Sequence, residues 1–300
     1  MPEPATPDAG GGGLVRVRLD LAYDGTDFAG WARQPALRTV QGTLEDALAT
    51  VLRLPQAPAT VVAGRTDAGV HATGQVCHAD LPAGSLAAAP GRSDAVPTEA
   101  LRRRLAGVLP PDVVVTGVAV APAGFDARFS ALRRRYAFRI SDAPAGVPPL
   151  RRHDVLGVRG RLDVTAMDAA AAALTGLRDF AAFCRRREGA TTVRTLLEYR
   201  WVRTPDGLLE ARVVADAFCH SMVRALVGAV LPVGQGRRDP GWPARVLAAG
   251  VRHPAVVVVP PHGLVLEEVV YPAAGALAER AAQARARRDA TGPPADRTHP

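Results

Sequence analysis

An acid and a guanidinium two residues apart, with a glycine beyond each, are the first place in this chain where chemistry could be done. The stretch is Gly64-Arg65-Thr66-Asp67-Ala68-Gly69-Val70-His71. The apolar run Thr60-Val61-Val62-Ala63 precedes it and reads as a buried strand, and Gln75-Val76-Cys77-His78-Ala79 predicts the next strand. Asp67 thus falls on a tight connection between strands. Glycine at 64 and 69 admits positive φ and the close approach of a ligand to the backbone. A carboxylate presented in this way can serve as a nucleophile or general base. Spacing alone fits a surface turn as well or better, because Gly and Asp are ordinary turn residues.

Two other side chains could join such a site. Tyr136 lies in Arg133-Arg134-Arg135-Tyr136-Ala137-Phe138-Arg139-Ile140, where an aromatic in an alternating strand is most simply core. Arg224 lies in Phe218-Cys219-His220-Ser221-Met222-Val223-Arg224-Ala225, four residues after His220 and so on the same helical face. An arginine snorkelling from a buried helix is the plain alternative. Asp24-Gly25-Thr26-Asp27 is similar to the phosphatase pattern D-x-D-G-T, but the position of its nucleophile is Ala22, which excludes that chemistry. His71, Cys77, His78, Cys219 and His220 raise the question of a metal. No cluster of them has zinc-like spacing, and adjacent strand residues such as Cys77 and His78 point to opposite faces.

The elements that must position these groups follow from periodicity. Val15, Val17, Leu19, Leu21 and Tyr23 alternate with polar residues, a half-buried strand, and Leu44, Ala47, Leu48, Val51 and Leu52 recur at helical spacing. The chain therefore opens β-α-β, with the Asp67 loop after the second strand. Residues 82–96 read as a loop; Leu101, Leu105 and Val108 mark a helix; 113–120 and 133–140 are strands. Pro144 to Pro149 suggests a midpoint. Beyond it come a helix that Asp163 could cap, a short helix at Phe180 and Phe183, strands near 192–203 and 208–216, a helix near 219–231, and strands 255–259 and 264–271. The expected organisation is a disordered leader over 1–13, one αβ half over 14–148, a second over 149–272, and a frayed, flexible tail over 273–300.

Composition narrows the class of partner. The 300 residues are 48% hydrophobic, enough for a large core, and carry a net charge of +8. Every basic residue outside histidine is arginine, whose planar fork suits phosphate. The balance predicts a polyanionic partner, nucleic acid first. The arginine groups at 102–104, 133–135, 151–152 and 185–187 are expected to track phosphate. Three cysteines without a C-x-x-C pair fit a reducing cytoplasm, and no apolar run reaches the length of a membrane span.

The Asp67 loop resembles the catalytic loop of the tRNA pseudouridine synthase A family, written G-R-T-D-x-G-V-H. The stretch from Tyr23 to Trp31, with Gln34-Pro35 and Thr39-Val40-Gln41, is similar to that family's first motif. Arg135-Tyr136 with a second aromatic at Phe138 resembles its second motif, and residues 218–225 its third, with Ser221 and Ala225 departing from a usual His and Asn. The resemblance covers about residues 14–272. It implies an α+β pseudouridine synthase fold, two αβ halves forming a continuous, mainly antiparallel sheet with a catalytic cleft between them. It implies a homodimer that isomerises uridine to pseudouridine at positions 38, 39 and 40 of the tRNA anticodon stem-loop, with no cofactor and no metal. Asp67 would be the nucleophile. Tyr136 would stack on the uracil and is a candidate base. Arg65 would help hold the flipped nucleotide. Arg224 would pair with Asp67, and a neighbouring guanidinium favours the ionised form a nucleophile needs. Attack at ribose C1′, attack at uracil C6, and elimination through C2′ are all compatible with these residues.

Overall fold

The computed structural model describes residues 13–185 and 191–289, with side chains to 286; most of the expected leader, the end of the tail, and Arg186 and Arg187 lie outside that range. The first strand, Leu14–Tyr23 (β1), buries Val17, Leu19, Leu21 and Tyr23 and turns its polar residues outward, as its alternation requires. Helix Val40–Leu52 (α1) starts where the Thr39 hydroxyl accepts from the Gly42 N–H. It buries Leu44, Leu48, Val51 and Leu52. Strands Thr60–Val62 (β2) and His71–Pro82 (β3) flank the Asp67 loop. Part of the stretch expected to be loop is a short helix, Ala83–Ala87 (α2), followed by Pro97–Ala106 (α3) with its proline in the first turn.

Strands Val113–Val120 (β4) and Arg133–Ser141 (β5) come next, then the two-residue Leu156–Gly157 (β6). Asp163 accepts from Ala166 N at the start of Val164–Ala172 (α4), as its position predicts. Gly176–Asp179 (β7), Val193–Arg203 (β8) and Leu209–Ala215 (β9) precede the apolar helix Met222–Gly234 (α5) and Trp242–Ala249 (α6). Leu264–Val270 (β10) is the last strand. None of the described helices is long and apolar enough to cross a membrane.

The strands form one ten-stranded sheet in the order β4-β1-β3-β10-β5-β9-β8-β7, with β2 on β3 and β6 on β5. Pairing is antiparallel except for β10 with β3 and β5 with β6. This is the continuous, mainly antiparallel α+β sheet that the motifs imply. One edge of β3 is shared: β10 pairs with His71 and Ala72, while β2 pairs with Cys77 to Ala79. The Asp67 loop leaves β2 and enters β3 at that division, in the middle of the sheet.

Two further expectations fail for identifiable reasons. Residues 255–259 are not a strand. The segment packs along α5 instead: Val259 N–H donates to Arg224 O at 3.4 Å, and Val257 O lies so close to Gly228 that a Cβ there would stand 1.7 Å from it. The start of the supposedly frayed tail is a helix, Leu277–Asp289 (α7). Leu277 and Ala281 are buried one turn apart, the Ser130 hydroxyl donates to Leu277 O, and Arg285 pairs with Asp126 at 2.7 Å. A stripe of two small apolar residues is too narrow to stand out among Ala and Arg, but it suffices when polar groups at 126–131 receive the rest.

Candidate active site

The Asp67 loop is fixed from beneath and from both sides. The Tyr23 hydroxyl, on β1, is hydrogen-bonded to Thr66 Oγ1 at 2.7 Å, and Gln75 Nε2 donates to Tyr23 Oη at 3.2 Å and to Gly64 O at 2.9 Å. Burial pushes the Tyr23 phenol up to about 12, so it stays a neutral linker. Trp31 N–H donates to Thr66 O, and Gly69 N–H to Phe28 O. Gly69 has the left-handed φ of +75° that its type permits and rests on Pro261. Gly64 does not; its φ is ordinary and a Cβ there would meet open space.

The opposite wall is the start of α5. Arg224 donates from Nε to Val259 O at 2.8 Å, which aims its outer nitrogens at the loop, and Nη1 pairs with Asp67 Oδ2 at 3.2 Å. Residues 157 positions apart in sequence thus meet as the motifs imply. The pair is shielded but open to a ligand, with side-chain exposures of 20% for Asp67 and 17% for Arg224. His220 Nε2 lies 3.3 Å from Asp67 Oδ1, and the Ser221 hydroxyl donates to Oδ2 at 3.0 Å. The departure at Ser221 therefore puts a hydroxyl on the carboxylate.

Tyr136, on β5, is buried, with its ring packed edge-on against Phe218 at 5.0 Å between centroids. Burial first, then the nearby Tyr23 and Asp67, push its phenol far above the usual tyrosine value. A phenolate is therefore costly at neutral pH, and the ring and the O–H are what this residue can offer. Arg65 is exposed and makes no hydrogen bond or ion pair among the described residues. It stands free to meet a ligand beside Asp67.

Of the arginines expected to track phosphate, several are engaged within the protein. Arg134 is buried, Arg135 pairs with Glu267 and Glu268, Arg102 with Glu99, and Arg151 with Asp154 and Asp206. Arg103 and Arg133 are exposed. His71 belongs to the scaffold: its Nδ1 accepts from Gly25 N–H at 3.0 Å, and its Nε2 meets His262 O at 3.1 Å.

Residue types alone do not reveal Tyr23, Gln75, His220 and Ser221 as neighbours of this site. For Tyr23, His220 and Ser221 the only signal is their place inside the stretches that carry the resemblance, where His220 reads as one face of a helix and Ser221 as an irregularity; Gln75 lies outside those stretches and carries none.

Known proteins resemble this chain over most of its length. A family model described as tRNA pseudouridine synthase matches residues 170–272. The chain is 62% identical over 274 residues to a protein of Frankia casuarinae, covering 91% of this chain and 96% of the other. It is 61% identical to one of Streptomyces griseus, covering 91% and 94%, and 51% identical to one of Mycobacterium leprae, covering 89% and 93%. All three bear the name tRNA pseudouridine synthase A. With its loop motif, its shared sheet and relatives matched over nearly their full length, the chain belongs to the tRNA pseudouridine synthase A family.

Proposed function

We propose that this enzyme isomerises uridine to pseudouridine in tRNA with Asp67 as its nucleophile, at positions 38, 39 and 40 of the anticodon arm. The observation that carries the proposal is the Asp67–Arg224 pair at 3.2 Å, set on a glycine-flanked loop in the middle of the sheet. In the reaction the bond from uracil N1 to ribose C1′ breaks, the base turns, and C5 bonds to C1′. C5 gives up a proton and N1 gains one, so no atom is added to or lost from the nucleotide. A carboxylate suits such a step because it can take up or assist the ribose or the base while the glycosidic bond is open.

The target must leave its stack to reach Asp67, at an expense of a few kcal/mol. Arg65, exposed beside Asp67, is placed to hold the nucleotide's phosphate or sugar. Tyr136 supplies a ring face or edge to the uracil, and its hydroxyl can donate a hydrogen bond to it. Arg224 holds Asp67 against rotation as the base turns. The positive balance of +8 favours the polyanionic substrate. We place the enzyme in the cytoplasm and expect it to act as a homodimer.

The test is release of tritium from C5-labelled uridine in an unmodified anticodon arm carrying uridine at 38, 39 or 40 in turn. Turnover at these three positions and not at uridines in the other arms is the expected result. Turnover confined to another arm, or to an RNA other than tRNA, would overturn the site assignment.

A further inference from the structure

The two oxygens of Asp67 are not equivalent. Oδ2 receives the Ser221 hydroxyl at 3.0 Å and Arg224 Nη1 at 3.2 Å. Among the described residues Oδ1 has only His220 Nε2, at 3.3 Å, and the His220 side chain is 40% exposed. One oxygen is anchored by two donors from the body of the protein, and the other faces a side chain at the surface.

Ser221 holds its place against its own backbone preference. Its φ is +60° and ψ +12°, the left-handed region, which a residue with a Cβ adopts at an energetic penalty. Ala36 and Arg53 are the other non-glycine residues with positive φ among those described. Serine at the head of a helix ordinarily turns its hydroxyl onto a free N–H of the first turn. At α5 it does not: no side-chain cap forms, and the hydroxyl goes to Asp67 instead. Strain kept in place by its surroundings, with a helix cap forgone, marks a geometry the site requires.

We propose that Ser221 is a positioning residue that, together with Arg224, locks Oδ2 of Asp67 and leaves Oδ1 as the reacting oxygen. The inference rests on Asp67 as the nucleophile. With both donors in place the carboxylate plane cannot turn, so Oδ1 is presented in one direction to the nucleotide that enters past His220. With the hydroxyl gone, Arg224 alone holds Oδ2, the carboxylate rocks, and fewer bound substrates meet an aligned oxygen.

The experiment compares Ser221→Gly, Ser221→Ala and Ser221→Asn with the wild-type enzyme and with Asp67→Asn, all on one tRNA. Ser221→Gly removes the hydroxyl and suits the left-handed backbone. It is expected to lower kcat about tenfold, the scale of one hydrogen bond to a charged group. KM and tRNA affinity should hold, and the melting temperature should be at or above that of wild type. Ser221→Ala should lose the same rate and melt lower. Ser221→Asn tolerates the backbone and brings an amide donor, so it should recover part of the rate. Full kcat in Ser221→Gly, or a loss that appears only in KM, or a rate loss that follows the melting temperature with no recovery by asparagine, would overturn the proposal. The Asp67→Asn arm separates the two levels. Turnover by that variant would remove the nucleophile itself, whereas an inactive Asp67→Asn beside a fully active Ser221→Gly would remove only the role of Ser221.

Discussion

Arg134 and Arg224 both bring a guanidinium to the Asp67 loop, and they are satisfied in opposite ways. Arg134 is buried and donates only to backbone carbonyls: Asp216 O at 2.6 Å, Ala63 O at 2.7 Å and Arg128 O at 2.8 Å. Burial pulls it below the usual arginine value, and Tyr271, Tyr136 and the Asp216 carboxylate offset this only in part. It joins the end of β2, the loop before β5 and the end of β9 at one point. Arg224 gives one donor to a carbonyl, Val259 O, and turns another on the carboxylate of Asp67 at the edge of solvent. A buried cation bonded only to carbonyls is structural, since its removal leaves acceptors without donors. A cation shared between a carbonyl and a reachable carboxylate instead fixes the direction in which that carboxylate meets a substrate. The difference lies in the partners, and neither Arg-rich stretch announces it.

The contrast can be broken from either side. Arg134→Met should have the largest effect on the protein: three carbonyls lose their donor, a destabilisation of about 3 kcal/mol or more, read as a sharply lowered melting temperature or insoluble protein. A melting curve like that of wild type would end its structural role. Arg224→Ala should leave the melting temperature within a few degrees and cut kcat about a hundredfold, the scale of truncating one partner of a shielded charge pair. If stability falls as far as in Arg134→Met, the two arginines do not differ in kind. Tyr136→Phe retains the buried ring and should bind tRNA normally while slowing C5 tritium release about tenfold. Unchanged release would remove the hydroxyl from the chemistry.

The smallest effect sharpens the scaffold side by pH. His78 is buried, its Nδ1 accepts from Ala127 N–H at 3.0 Å, and burial with Arg16 nearby lowers its pKa, against weaker opposing influences from Asp126 and Asp80. Its folded value lies below its unfolded one, so the unfolded chain binds the proton first as pH falls. The stability this group contributes is complete above about 6.5 and is lost on acidification below it. His78→Asn keeps an acceptor and cannot titrate, so its melting temperature should fall less than that of wild type between pH 7.5 and 5. Equal falls would show that His78 carries none of the acid sensitivity.

Legibility in the sequence follows the range of the interaction. The Asp67 loop is contiguous, and β1, α1 and α4 declare themselves by alternation, helical spacing and the cap at Asp163. The pairing of Asp67 with Arg224 is anticipated only through resemblance, because no local pattern joins residues so distant. The four-valine run at 256–259 reads as a strand since apolar runs do, yet it lies on α5 where Gly228 admits its backbone. Alternation sets Arg134 on the face of Tyr136 and Phe138, apart from Arg133 and Arg135, but the carbonyls that bind it appear only in three dimensions. Ser221 reads as a departure from a motif, and its left-handed φ and its bond to Asp67 appear only in three dimensions.

The central claim is tested most directly by Asp67→Asn, a change of similar size that removes the nucleophilic charge. With a saturating concentration of the variant and an anticodon arm labelled at C5 of uridine, the account predicts tRNA affinity and melting temperature near those of wild type and no tritium released in a single turnover. Release of tritium with formation of pseudouridine by that variant would contradict it.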